Sequence, residues 1–428
     1  MIAREHKSMH KKKRQMLIAS SAIIALFGSR IAFCIDVNIT GFGTVGYAIS
    51  DHDFKYLRYI DDRGTLKVDS IAGIQTEIQF DPQWGATVQG VASAPRTRDN
   101  GYEAKIRWAF LSYRPSNDWL LRAGRVRPPV FFNTQNAEVG VTYDAARLPA
   151  EVYSLSPVYD FDGGAVTKTW ALGASELNLD VYSGNSDLKL RLFQRDANKA
   201  EFIPTRVNVT GIGLSHNSDA LSVRGSAHKA RAKFGSMRPA ETLVPTTPFS
   251  PIPPPLGGTL YVPFNLMSEI DLTVLTLGVD MYLGSWRITA EYGQRIVTDT
   301  DLGLDSKSGY VTITRKFGKL SPYATYARLL SGSETRDVYQ AVNPAPVPLL
   351  AQGAPLFLPA NYHRILVDQG YVFDQYSTML GTSYSFSATS KVKLEWMRTK
   401  VGLASSLVDG DVHNKHFNVF SVSYSFAF

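Results

Sequence analysis

The chain holds one cysteine in 428 residues, Cys34. A lone thiol excludes an internal disulfide framework, a cysteine-rich zinc site and a CxxC redox pair. Long hydrophobic runs are missing as well. A membrane-crossing helix needs about 20 consecutive apolar residues, and the longest apolar stretch, Met16 to Phe27, is interrupted by Ser20 and Ser21. A bundle of membrane helices is therefore excluded, although 44% of the residues are hydrophobic and only 19% charged. Most of the chain also lacks excess charge of either sign. Residues 1–34 carry seven of the 45 Lys/Arg and one of the 38 Asp/Glu, which leaves 38 bases against 37 acids beyond them. A nucleic-acid binder keeps its basic stripe in the folded part, so no nucleic-acid partner is expected.

What is present begins with the two ends. Lys11, Lys12, Lys13 and Arg14 precede the apolar stretch, and small residues follow it. Basic segment, short apolar segment and small exit residues form the layout of a secretory signal peptide. The expected signal covers residues 1–34, with cleavage after Cys34 or a few positions to either side, and with Met9 or Met16 as alternative starts. Lipidation of Cys34 is disfavoured, because that site wants a small residue where Phe33 stands. Residues 35–428 are then expected to be one domain. At the other end, Phe420, Val422, Tyr424, Phe426 and Phe428 occupy every second position. Such a strand has one apolar face, and a terminal aromatic strand in a soluble domain would fray into water. This ending resembles the signature by which the outer-membrane assembly machinery selects barrel precursors, which would make Phe428 the contact to that partner.

Between the ends nearly everything reads at period two. Leu177, Leu179 and Val181 alternate with Asn178, Asp180 and Tyr182; Trp286, Ile288, Ala290 and Tyr292 alternate with Arg287, Thr289, Glu291 and Gly293. Val392, Leu394 and Trp396 alternate with Lys391, Lys393 and Glu395. Ala104, Ile106, Trp108 and Phe110 are expected on one face, with Glu103, Lys105 and Arg107 on the other. These segments run to about 10–15 residues, whereas a tilted strand needs about 9–11 to cross a bilayer. Trp84, Trp119, Tyr323 and Tyr384 fall near segment ends, as interfacial aromatic girdles require.

Tight turns are read at Asp81-Pro82-Gln83, Ser116-Asn117-Asp118, Gly173-Ala174, Asn217-Ser218-Asp219, Gly284-Ser285, Gly318-Lys319 and Ala388-Thr389-Ser390. Seven hairpins plus a first and a last strand that must pair give 16 strands. The longer connections are expected at 127–161, 186–204, 234–267, 331–373 and 401–415. Short connections on one rim and long ones on the other mark a transmembrane barrel. The fold class is therefore all-β: a closed, antiparallel transmembrane β-barrel of about 16 strands. Lipid enforces closure, since an unpaired sheet edge is not tolerated there.

The third long loop follows Trp119 to Val126 and opens with Arg127-Pro128-Pro129. Here the chain resembles the Gram-negative outer-membrane general porins. The likeness rests on Leu121-Arg122-Ala123-Gly124-Arg125 followed by prolines, and on a Gly-rich first strand ending Tyr47-Ala48-Ile49-Ser50-Asp51. In layout it covers residues 35–428; in local wording, only about 119–162. It implies a third loop folded into the lumen, a homotrimer, and surrounding outer-membrane lipid and lipopolysaccharide. It further implies a waist with acids on the loop facing bases on the wall. The candidate set is Glu138, Asp144, Arg147, Glu151, Asp160 and Asp162 from the loop, with Lys105, Arg107, Arg122, Arg125 and Arg127. A cation at membrane depth must face water or a partner, because on the lipid face it costs about 2–4 kcal/mol.

Other signals carry less. Gly41-Phe42-Gly43-Thr44-Val45-Gly46 spells a dinucleotide-binding fingerprint, but Tyr47-Ala48-Ile49-Ser50 continues a strand where that motif needs a helix N-terminus. His413 and His416 lack an accompanying carboxylate or thiol at metal spacing. The eight prolines within 239–263 suit a stiff external loop. No cofactor, metal or catalytic nucleophile is expected. The expected function is passive diffusion of small hydrophilic solutes and ions. A channel selective for a sugar, phosphate or organic acid is the alternative, and surface attachment through 234–267 and 331–373 is a third.

Overall fold

A computed structural model describes residues 35–354 and 356–428; the expected signal peptide lies outside them. Sixteen strands form one closed antiparallel barrel. In chain order they are β1 (Asp36–Ser50), β2 (Ile71–Gln79), β3 (Trp84–Ser93), β4 (Glu103–Tyr113), β5 (Trp119–Val126), β6 (Phe161–Leu172), β7 (Ser175–Gln194) and β8 (Lys199–Asn217). Then come β9 (Leu221–Phe234), β10 (Glu269–Leu283), β11 (Trp286–Val297), β12 (Ser306–Arg315), β13 (Leu320–Ser331), β14 (Phe373–Ser387), β15 (Ser390–Ser405) and β16 (His416–Ala427). Each strand pairs with its chain neighbours, and β16 returns to β1 with Tyr47 opposite Val422. All seven tight turns lie at their expected positions, on one rim.

The closing seam depends on two glycines. The backbones of Gly41 and Phe428 exchange hydrogen bonds of 2.8 and 2.9 Å. A Cβ on Gly41 would stand 2.3 Å from the Phe428 ring, and one on Gly43 would stand 2.8 Å from the Phe426 ring. The fingerprint glycines thus serve close packing of the terminal aromatics across the seam.

The two faces of the wall differ in chemistry. Val45, Tyr47, Leu277, Tyr292, Val311, Ile313, Leu394, Phe420 and Val422 are exposed on the outside. Ser377, Lys393, Glu395, Ser421, Ser423 and Ser425 occupy the opposite phase and are buried. Trp84, Trp119, Trp170, Trp286, Phe317, Tyr384 and Phe386 stand outward beside the short turns, forming a girdle on that rim. Tyr323 departs from the expected girdle: it is 5% exposed, points inward and donates to Glu395 at 2.7 Å.

Two further departures shape the interior. In β4, Trp108 pairs with Gln89 while Ile106 pairs with the adjacent Gly90, so Arg107 is the extra residue of a bulge. A bulge shifts the phase of the residues beyond it: Arg107 joins Lys105 on the inner face, and Trp108 moves to the inner phase beside Gln89. The second departure is the expected loop 186–204, which is mostly strand. β7 and β8 continue as a ladder to Gln194–Lys199, leaving only residues 195–198 as turn. In this upper part the polarity inverts. Asn185, Asp187, Lys189, Arg206, Asn208, Lys229, Arg231 and Lys233 are exposed outside, while Leu192, Ile203, Val207, Val209, Ala232 and Phe234 are buried inside. Such a face suits water rather than lipid, so the sheet stands clear of the apolar band on this side.

Replacing Gly41 with leucine should displace the Phe428 ring and loosen the seam, at a cost of roughly 1–3 kcal/mol. The urea midpoint of the folded barrel should fall; an unchanged midpoint would show that the ring contact contributes nothing.

Candidate pore waist

Residues 127–160 leave the wall between β5 and β6. Pro128 and Pro129 have no N–H to donate, so the ladder ends at Val126. The segment then binds inward side chains of distant strands. Phe132 N–H donates to Glu291 on β11 at 2.7 Å, and Tyr153 and Tyr310 donate to the same carboxylate at 2.8 and 2.7 Å. Ala146 N–H donates to Tyr323 at 3.2 Å, and Lys393 Nζ donates to the Gly140 carbonyl at 2.5 Å. Glu151, fully buried, accepts from Gln375 at 2.8 Å and from Ser377, both on β14. β6 and β14 stand eight places apart in the ring of sixteen, so the segment spans the interior from one wall to the opposite one. Val130, Phe131, Val152, Leu155 and Val158 are buried in the same apolar cluster as Val207, Ala232 and Leu272. Gly278 makes room for this, since a Cβ there would lie 2.6 Å from the Phe132 ring.

Charges along the segment are paired in three places. Glu138 is the hub of the first: it accepts from Arg127, lies 3.0 Å from Arg107 Nε and 3.6 Å from Arg96. Arg107 also faces Asp160 at 3.5 Å. Burial alone would raise the Glu138 carboxyl, but Arg127, Arg107 and Arg96 outweigh it and hold the group at about 2. Arg147 forms the second pairing, bidentate on Asp69 at 3.1 and 2.6 Å with Ser421 at 2.9 Å. Asp144 forms the third, accepting from Ser383 at 2.7 Å and Lys391 at 3.1 Å. Burial acts to raise its carboxyl; Lys391 and Ser383 together hold it below its ordinary value.

The candidate set thus divides. Glu138, Asp160, Arg107 and Arg127 come together in one network; Arg147, Asp144 and Glu151 anchor separately to the far wall. Lys105 points inward with no carboxylate within 4.0 Å among the described residues, and Arg122 donates inward to Thr167 at 3.1 Å. Arg125 and Asp162 do not belong to the interior. They are cross-strand partners joined at 2.8 and 2.7 Å, and share the outer phase with Leu121 and Ala123. Strand phase continues through Arg125, which turns this candidate cation away from the waist. Missing from the candidate set were Asp69, Arg96, Glu291, Lys391, Lys393 and Glu395. Four of them lie on the polar phase of alternating segments, so phase was the available signal; Asp69 and Arg96 sit in connections with none.

A second crossing lies at the loop rim. Arg191 at the end of β7 holds Asp409, between β15 and β16, at 2.7 and 2.5 Å, and Asp99, between β3 and β4, at 3.0 Å. The β7 and β15–β16 walls face each other across a ring roughly 30 Å wide for sixteen tilted strands. Arg195 on the same hairpin holds Asp368 and donates to Tyr339 at 2.7 Å. The extended β7–β8 hairpin is therefore clamped across the mouth.

No protein-family profile matches the sequence, and no curated protein does. Solved structures share the fold. OmpT of Vibrio cholerae, expressed in the outer membrane, superposes with a TM-score of 0.51 at 13% identity over 93% of this chain and 99% of that one. OmpF of Salmonella typhi in complex with daunomycin gives 0.50 at 12% identity, over 92% and 97%. An anion-selective porin from Comamonas acidovorans gives 0.50 at 13% identity, over 92% and 100%.

The Glu138 hub carries a pH dependence. Its folded value lies below the ordinary 4.5, so its stabilisation is complete above that pH and is lost as pH falls towards about 2. The difference corresponds to about 3 kcal/mol. The urea midpoint should fall between pH 5 and pH 2, and Glu138→Gln should lower it at pH 7 while flattening that slope. An equally steep slope in the variant would contradict the assignment.

Proposed function

We propose that this chain, which has the fold of the Gram-negative outer-membrane porins, forms a water-filled channel for passive diffusion of small hydrophilic solutes and ions. One observation carries the reading: a sixteen-stranded sheet closes on itself, apolar outside and charged inside, and residues 127–160 cross its interior. A sixteen-stranded ring is too wide for wall side chains to fill, so water and solute occupy what the crossing segment leaves.

In this reading residues 1–34 direct export, Phe428 presents the last strand to the assembly machinery, and the mature barrel sits in outer-membrane lipid and lipopolysaccharide as a homotrimer. Residues 127–161 form the constriction, and the segments 234–267 and 331–373 face outward from the cell. The acid-against-base polarity takes a modified form. Glu138, Asp144 and Asp160 are each met by a cation at 3.5 Å or less, whereas Lys105 keeps an unpaired charge towards the bore. An electric field from such fixed groups acts strongly in a narrow, low-dielectric passage, and its sign favours anions.

Planar bilayers test both statements. The purified protein should give stepwise conductance, and its absence would contradict the channel. Under a salt gradient, neutralising Lys105, Arg107 and Arg122 together should move the reversal potential towards cations, with Lys105→Gln alone giving most of the shift. An unmoved potential would overturn the polarity.

A further inference from the structure

The inverted upper wall is unexplained by a purely hydrophilic pore. Between the waist and the clamped mouth lies a cavity of about 560 Å³, within the range of roughly 300–1,000 Å³ usual for small-molecule sites. One side is apolar: Leu188, Val207, Phe234, Leu272 and Phe373 line it, from β7, β8, β9, β10 and β14. Waist residues Pro157 and Tyr159 close it below, and Tyr371 and Leu407 close it towards the loop rim.

Cations border the same cavity. Arg107 and Arg191 line it but are satisfied by Glu138 and Asp160, and by Asp99 and Asp409. Lys105 and Arg295 are not. Neither has a carboxylate within 4.0 Å among the described residues. Arg295 is 7% exposed, and its one hydrogen bond runs from Nε to the Leu304 carbonyl at 2.5 Å. Both Nη groups are left without a protein acceptor among the described residues. Arg96 adds a buried Nη1 with no partner. A buried cation lacking its counter-charge is costly unless a ligand supplies one.

Resting on the channel reading, we propose that this chamber is a binding station for an amphipathic organic acid. The carboxylate meets Arg295, and an aryl or alkyl body lies on the neighbouring Val207–Phe234–Leu272 face, while Lys105 on the opposite wall adds positive potential. The class comes from the joint requirement. A small hydrophilic anion leaves the apolar wall in contact with water, and a neutral apolar solute leaves Arg295 unpaired.

Calorimetry on the protein in lipid nanodiscs, with empty discs as blank, tests this with three probes. 4-Phenylbutyrate carries both features, butyrate only the head, and 4-phenylbutanol only the body. Expected is saturable 4-phenylbutyrate binding at least tenfold tighter than either other probe. Arg295→Gln should weaken it tenfold or more, and Phe234→Ala should weaken 4-phenylbutyrate while leaving butyrate unchanged. Arg295→Lys serves as the second head-group variant should Arg295→Gln fail to fold, and should also weaken binding. Equal affinity for the alcohol, no saturable binding up to millimolar probe, or head-group variants that bind normally would each overturn the proposal. Calorimetry does not depend on conduction, so a protein that conducts without binding refutes this inference alone. One that binds without conducting refutes the channel.

Discussion

Backbone pairing is the constraint on which the whole structure depends. In hydrocarbon each unpaired N–H or C=O costs several kcal/mol, so a sheet there is either closed or unstable. Here the ring closes where β1 meets β16, over a register running from Phe42–Ala427 to Ser50–Val419. The sixteen strands in turn set a bore too wide for wall side chains to fill. Residues 127–160 cross it, reaching from β5 and β6 to β14 and held by buried polar groups on the far wall.

Burying that many charges is tolerable only because most have partners. Glu138 collects three guanidiniums, Arg147 grips Asp69, and Glu291 accepts three hydrogen bonds. Removing one member leaves its partners charged and desolvated, which costs more than the bond itself. The crossing segment is thereby a fixed part of the wall rather than a loose strap. The same logic makes Arg295 stand out, since it lines the upper chamber with no carboxylate within 4.0 Å among the described residues.

Much of the fold was legible because lipid imposes a strict code. Turn chemistry at Gly173-Ala174 or Gly284-Ser285 and uninterrupted period two yield the strand number directly. Legibility failed where the code changes. At Leu188-Lys189-Leu190-Arg191-Leu192 the alternation persists, but its apolar side turns inward, because that part of the sheet has left the apolar band. The bulge at Arg107 is invisible to a period count, since one inserted residue looks like a phase error. Of the candidate waist, the residues inside the crossing segment were identifiable from its charge content. Their partners were not: Asp69, Lys391 and Glu395 are distant in sequence, and only the closed ring brings them near.

The barrel is a cylinder with a greasy outside and a wet inside. Single cysteines placed along β11 in a Cys34-free background, with the protein in lipid vesicles, measure it through reaction with a charged, water-soluble thiol reagent. Positions 287 and 289 should react and positions 288 and 290 should not. Reactivity without that two-residue alternation, or alternation of the opposite phase, would contradict the account.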